Sequence, residues 1–261
     1  MKRRSFLKKS AIAAGAASLA VPAIGGIAGA APASKSVFEI RVYHVSRTAN
    51  AKTRLEQYFT EALIPFLNKH SVKVGAFTDY SLEEPVRLTL ILAYPDASAW
   101  ANAKAGMLTN AEYLKATISY NAIPAAEAVY LRYETFLLEG FDRFPSVIVP
   151  AEKKGLYEMR TYEGASEDAV SRKVEMFNSE EIDLFLKVGL QPVFFGQIVA
   201  GEYMPALTYM VGFRDMADRD ATWAKFGGSE EWKTMSSKPE YANSVSNIRR
   251  IFLVPTPYSQ F

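Results

Sequence analysis

Phe38-Glu-Ile-Arg-Val-Tyr43 and Tyr157-Glu-Met-Arg-Thr-Tyr162 are one strand written twice in the same chain. The copies lie 119 residues apart (157 − 38), and the same displacement carries Leu88-Thr89 onto Leu207-Thr208, Asp96 onto Asp215, and Glu112-Tyr113 onto Glu231-Trp232. Landmarks that repeat in one register indicate duplication of a whole folding unit, so any site has to be read in a pseudo-symmetric frame.

Working outward from the first copy, the pattern predicts strand 37–44, helix 51–69, strand 72–80, strand 86–94, a helical region 97–118 and strand 128–137. The first helix rests on Leu55, Phe59, Ala62, Leu63, Phe66 and Leu67, which recur at three- and four-residue spacing. Around the second copy the order returns as strand 156–163, helix 167–188, strand 191–200, strand 206–213, a helical region 217–236 broken at Gly227-Gly228, and strand 246–254. The order βαββαβ gives a four-stranded antiparallel sheet with both helices on one face, the ferredoxin-like arrangement. The other face is bare, and two units can bury their bare faces against each other to close a barrel-like core. The predicted organisation is a leader over 1–33, a first unit over 36–138, a Pro- and Lys-bearing linker over 139–154 and a second unit over 155–256.

Side chains alternate across a strand, so Phe38, Ile40 and Val42 share one face while Glu39, Arg41 and Tyr43 share the other. The apolar trio is expected against the helices. The polar trio, with Glu158, Arg160 and Tyr162 from the second copy, is then expected to face the partner sheet. Buried Glu and Arg cost several kcal/mol per ion unless paired, so each should be held in a network. Two roles fit the stripe: an ion-pair lock between the sheets, or a ligand site in which the arginines offer forked hydrogen bonds to an oxyanion and the tyrosines add a hydroxyl and an aromatic wall.

The terminus and composition exclude several classes. Lys2-Arg3-Arg4-Ser5-Phe6-Leu7-Lys8 followed by an Ala/Gly-rich stretch resembles a twin-arginine export signal, which implies a periplasmic or extracellular protein. A membrane anchor is the alternative, but Pro22, Gly25, Gly26 and Gly29 dilute the stretch below what a spanning helix needs, so no stable insertion is expected after cleavage. Without the five basic residues of positions 1–30, 25 basic side chains (30 − 5) face 28 acidic ones, and no basic cluster remains to bind nucleic acid. Cysteine is absent, which excludes disulfides, thiolate catalysis and Cys-ligated metals. The two histidines, His44 and His70, both lie in the first unit, opposite Glu163 and Gly189 in the second. His70 falls at a helix end, where an imidazole suits the terminal carbonyls, and His44 at a strand edge. No metal-ligand spacing, phosphate loop or nucleophile elbow is present, so neither a metal nor a cofactor is expected. Trp100, Trp223, Trp232 and Tyr113 read as anchors of the second helical regions on the sheets.

The Glu-x-Arg-x-Tyr at 39–43 and 158–162, with Glu-Tyr at 112–113 and Glu-Trp at 231–232, each within a βαββαβ unit, resembles the NIPSNAP family. The resemblance spans roughly 36–138 and 155–256. It implies a tandem family protein of α+β class, two ferredoxin-like units pairing as an intramolecular dimeric α+β barrel. The family carries little assigned chemistry. The leading expectation is a small-molecule binding module whose inter-sheet cavity holds an apolar or anionic guest near Glu39, Arg41, Tyr43, His70, Glu158, Arg160 and Tyr162. The alternative is a cofactor-independent monooxygenase or isomerase on an aromatic or quinone-like substrate, and a homo-oligomer is compatible with either.

Overall fold

The computed structural model describes residues 34–81 and 84–261, and Ser34–Phe261 forms one compact unit. The predicted twin-arginine leader lies outside the described residues. Eight strands follow the duplicated order: β1 Val37–Val45, β2 Lys73–Asp79, β3 Arg87–Tyr94, β4 Tyr130–Gly140, β5 Leu156–Glu163, β6 Gln191–Ala200, β7 Ala206–Phe213 and β8 Asn247–Pro255. They hydrogen-bond in the cyclic order β1-β3-β2-β8-β5-β7-β6-β4, every pair antiparallel, into one closed barrel. The expectation of two sheets meeting by their bare faces is corrected by the two joins. β2 pairs with β8 over Phe77–Asp79 and β4 with β6 over Leu137–Gly140, so the strands close edge to edge. Closure satisfies the edge groups that two open sheets would leave exposed.

Helices cover the outside. In the first half these are α1 Ala51–Tyr58, a π-turn Phe59–Leu63, α2 Ile64–Lys69, α3 Ala97–Thr109, α4 Ala111–Ala116 and α5 Ile118–Asn121. In the second they are α6 Glu167–Met176, a π-turn Phe177–Glu181, α7 Ile182–Val188, α8 Met216–Gly228 and α9 Glu230–Ser236. The single helices predicted over 51–69 and 167–188 thus each contain one wide turn at the same place, a feature that periodicity over so few residues does not register. Asp96 and Asp215 cap α3 and α8 by accepting from Ala99 and Asp218, and Ser229 caps α9.

Three cores follow from this arrangement. Leu88, Leu90, Leu92 and Tyr43 pack outward against Leu55, Phe59 and Leu67 of the first helical layer. Leu207, Tyr209, Val211 and Tyr162 do the same against Phe177, Ile182 and Phe185. Phe38, Ile40, Phe77, Tyr157, Phe194 and Phe261 fill the bore. The predicted parity of the repeated strand is therefore reversed. Phe38 and Ile40 point into the barrel, and Glu39, Arg41 and Tyr43 point out under the helices. The bore is packed with apolar side chains, whereas the helix layer supplies Trp and Tyr donors that a charged pair requires.

One turn shapes the barrel's open end. Gly201, between β6 and β7, has φ +141, and a Cβ there would stand 2.9 Å from Phe136 Cδ1 and 3.2 Å from its Cα. Gly201→Ala combines a backbone conformation closed to L side chains with a clash against a strand, so it should destabilise by about 1–3 kcal/mol. Urea unfolding measures this, and a midpoint equal to the wild type's would show that the turn relaxes freely.

Candidate functional site

Inward positions alternate along each strand, and toward one end of the barrel they change from apolar to polar. On β1 the series Phe38, Ile40, Val42 ends in His44; on β4, reading back from Leu138, Phe136 is followed by Glu134. On β5 Met159 gives way to Thr161, and on β8 Ile251 gives way to Arg249. All of these except Phe38, His44 and Leu138 line a recess of about 420 Å³ at the barrel mouth, with Asp79, Arg87, Thr89, Tyr203, Thr208 and Arg250 completing its wall. Its floor is Ile40, Val42, Phe136, Met159 and Ile251. Both halves of the chain contribute, and a volume of this size holds a small organic molecule.

The polar groups of the mouth are fixed by one another. Thr161 and Thr208 share a hydroxyl hydrogen bond of 2.8 Å across β5 and β7. Arg87 donates through Nε to Asp79 at 2.6 Å. Arg249 donates through Nε to Glu163, and its guanidinium lies 4.0 Å from the centre of the Tyr203 ring, which stacks in turn on Phe136. At the rim His44 Nε2 stands 2.8 Å from Glu134 Oε1. An ionised carboxylate only accepts, so Nε2 is the donor. An imidazole bonded to a carboxylate that lines an apolar recess can exchange a proton with it.

The residues expected to form the site lie elsewhere. Glu39 and Arg41 sit between β1 and α3, with Arg41 Nε on Glu39 Oε1 at 2.6 Å. Tyr94 and Trp100 donate to the other Glu39 oxygen at 3.1 and 3.2 Å, and Lys104 stands 3.6 Å away. Burial works to raise the Glu39 pKa, but Arg41, Lys104 and Tyr94 outweigh it and hold the carboxyl below its ordinary 4.5. Tyr43 stacks on Tyr133, and burial pushes its phenol up to about 12. Glu158 accepts from Arg160, Arg219 and Trp223 at 2.6–3.2 Å, and Arg160 lies 3.7 Å over the Trp223 ring. Tyr162 bonds Tyr209 at 2.9 Å. His70 ends α2 and packs on Phe66, at the helix end foreseen for it. The structure thus groups Glu39, Arg41 and Tyr43 under one helical layer and Glu158, Arg160 and Tyr162 under the other, with His70 apart from both and none of the seven in the wall of the mouth.

A pH dependence follows from the two buried glutamates. Burial opposes the charge of Glu158 too, yet Arg219 and Arg160 hold its pKa below 4.5. An acid with a lowered folded pKa contributes stability above its unfolded value and loses it as pH falls through the folded one. Melting temperature should fall as pH drops from about 5 toward 3, and more steeply than in Glu39→Gln, which has one such group fewer. Parallel profiles for the two proteins would mean that Glu39 is solvated.

Among the described residues no group of three His, Cys, Asp or Glu is placed to hold a metal ion, and no helix is long and apolar enough to cross a membrane. A family model for NIPSNAP matches residues 157–260. No curated protein matches the chain. Among solved structures, a "putative monooxygenase" from Lactobacillus acidophilus NCFM is similar at 10% identity and a TM-score of 0.55, over 85% of this chain and 94% of that one. Another protein so described, from Fusobacterium nucleatum subsp. nucleatum ATCC 25586, is similar at 11% identity and a TM-score of 0.54, over 85% and 93%. Likeness at such identities is a likeness of fold. The expectation of a tandem family protein built as a dimeric barrel is corrected by the single match over the second half and by the single closed sheet. The chain is an α+β fold, one closed eight-stranded barrel with surrounding helices, NIPSNAP-like over residues 157–260 and similar in fold to two barrels each described as a "putative monooxygenase".

Proposed function

We propose that the barrel mouth binds a small aromatic or quinone-like molecule carrying a polar or anionic group, and that the protein acts on it as a cofactor-independent monooxygenase or isomerase. The observation that carries this reading is the 420 Å³ recess lined from both halves, apolar below and charged above. Its polar complement suits proton transfer. Glu134 in the recess wall, hydrogen-bonded to His44 Nε2, is the group to take a proton from an acidic C–H or O–H with His44 as its partner, and the Arg249 guanidinium the one to hold the resulting oxyanion. In the oxygenase case an activated ring methylene gives up its proton, the carbanion meets dioxygen, and CH2 with O2 becomes C=O with one water. The fold shared with two barrels described as monooxygenases supports the reaction class and leaves the substrate to experiment.

The test combines native mass spectrometry of the purified protein with oxygen uptake on anthrone and hydroquinone probes. A retained guest is expected in the wild type. Glu134→Gln should keep probe binding and lose uptake by about a hundredfold or more. Uptake undiminished in Glu134→Gln would remove the proton-transfer role, and a protein that binds no member of the panel would sink the reading.

A further inference from the structure

The end of the barrel away from the mouth has a recess of its own. β5 and β8 give the mouth Thr161 and Arg249, and from their opposite ends they give Tyr157 and Pro255 to a recess of about 320 Å³ whose wall includes Lys154, Pro257 and Phe261. Lys154 is 6% exposed and Tyr157 1%. The two side chains lie together over Gly212, where a Cβ would stand 2.9 Å from Lys154 Cγ and 3.1 Å from Tyr157 Cε1. Among the described residues neither Lys154 Nζ nor Tyr157 Oη has a hydrogen-bond partner, and Arg41 Nη2 is the one such atom sealed from solvent. Both groups therefore open on accessible space, and the recess is the space that both residues line. The other polar groups of the wall are taken: Thr256 donates to the Ala76 carbonyl at 3.2 Å, Ser259 Oγ accepts from Ala76 N at 2.9 Å, and Gln260 bonds Val74 and Asn68. No acid pairs with Lys154. Asp218, which feels its charge, is held by Arg214 at 3.0 Å, and neither Glu152 nor Phe261 forms an ion pair with it. A nearly buried charge without a counter-ion is costly, so an anion is the partner this place lacks.

The start of β1 shows the same lysine with its partners in place. Lys35 stands two residues before β1 as Lys154 does before β5, and it meets Asp142 at 2.8 Å and Glu139 at 3.8 Å. Phe38 pairs with Leu138 on β4 and Tyr157 with Leu253 on β8, so Val254 holds the place of Glu139, and no acidic side chain follows it as far as Phe261. Tyr157 in turn stands where β1 has Phe38, which adds a hydroxyl. Burial pushes that phenol up to about 12, so at neutral pH it keeps its proton and can donate it in a hydrogen bond. Where the β1 end supplies two carboxylates to its lysine, the β5 end supplies a second donor beside an unpaired ammonium.

We propose that this recess is a second ligand site, which takes a small organic carboxylate between Lys154 Nζ and Tyr157 Oη and lays its apolar part on Pro255, Pro257 and Phe261. The ammonium and the phenol give the carboxylate charge-assisted hydrogen bonds, and the apolar wall covers the rest of the molecule. The packed bore stands between this site and the mouth, and the site does not depend on the chemistry proposed there.

The experiment is a fluorine-NMR titration with 4-fluorobenzoate on the full chain carrying Thr161→Trp, whose indole fills the mouth. Saturable, one-to-one binding is expected. Adding Lys154→Met keeps the stem over Gly212 and removes the ammonium, and should weaken binding by about tenfold or more. This change takes away a charge that no protein group pairs, so the protein should still fold. Adding Tyr157→Phe instead should weaken binding by about threefold or more. Neutral 4-fluorobenzamide, which keeps the ring and loses the charge, should bind at least about tenfold more weakly than the benzoate. Should Thr161→Trp fail to fold, the wild-type chain takes its place and the same comparisons decide. No saturable binding, an affinity unmoved by Lys154→Met, or benzamide bound as tightly as benzoate would each overturn the proposal.

Discussion

Glu158→Ala should lower the stability of this protein by about 3–5 kcal/mol, the cost of breaking a buried ion pair from one side. The glutamate is 0% exposed and accepts from both Arg160 and Arg219 as well as from the Trp223 indole. Its removal takes the carboxylate from two guanidiniums at once, leaving Arg160 pinned over Trp223 without an acid partner and Arg219 with Asp220 alone. The same change at Glu39 strands a single arginine, since its other partners are Tyr94, Trp100, Thr135 and the half-exposed Lys104, and should cost less. Glu158→Gln keeps an acceptor for Trp223 and should fall between the wild type and the alanine protein. In a domain of this size the alanine change corresponds to a fall in melting temperature of about 10 °C or more. A loss below about 1 kcal/mol would mean that the arginines reach solvent when the carboxylate goes, and that the buried stripe is not a lock.

Thr161→Trp should abolish binding in the mouth while leaving the barrel folded. Thr161 faces inward at mid-height of the recess, half-buried, beside Met159 and across from Thr208. An indole there occupies the space a guest would take, and the lost hydroxyl pair costs only about 1 kcal/mol. Affinity for any mouth ligand should drop by about a hundredfold or more, about 3 kcal/mol of lost binding. Thr161→Val, which removes the hydroxyl without filling the recess, separates volume from hydrogen bonding and should bind nearly as the wild type does. Retained affinity in the tryptophan protein would move the site out of the barrel.

The order of strands and helices and most element boundaries were legible in the sequence, because hydrophobic periodicity and Gly/Pro breakers mark them. The orientation of β1 was not. Both faces of β1 are buried along most of its length, so the alternation of polar and apolar side chains separates two interiors and says nothing of which is which. The deciding fact, that Trp100 and Tyr94 stand ready to donate to Glu39, depends on helix α3 and strand β3 being in place. The mouth was missed for a related reason: its polar residues come from strands scattered over the whole chain and become neighbours only when the barrel closes. One signal was present. Thr89 and Thr208 sit at equivalent places in the two copies, each the polar member of a repeated Leu-Thr pair, and both line the recess.

Phe38, Phe77, Tyr157, Phe194 and Phe261 fill the bore below the recess, so a guest is expected to enter and leave by the mouth. Whatever enters must leave along the path by which the next molecule arrives, so exchange is sequential and nothing passes through. For a catalyst this means that product competes with substrate for the same threshold: inhibition by product should be competitive, and turnover paced by release whenever the product keeps the shape of what went in.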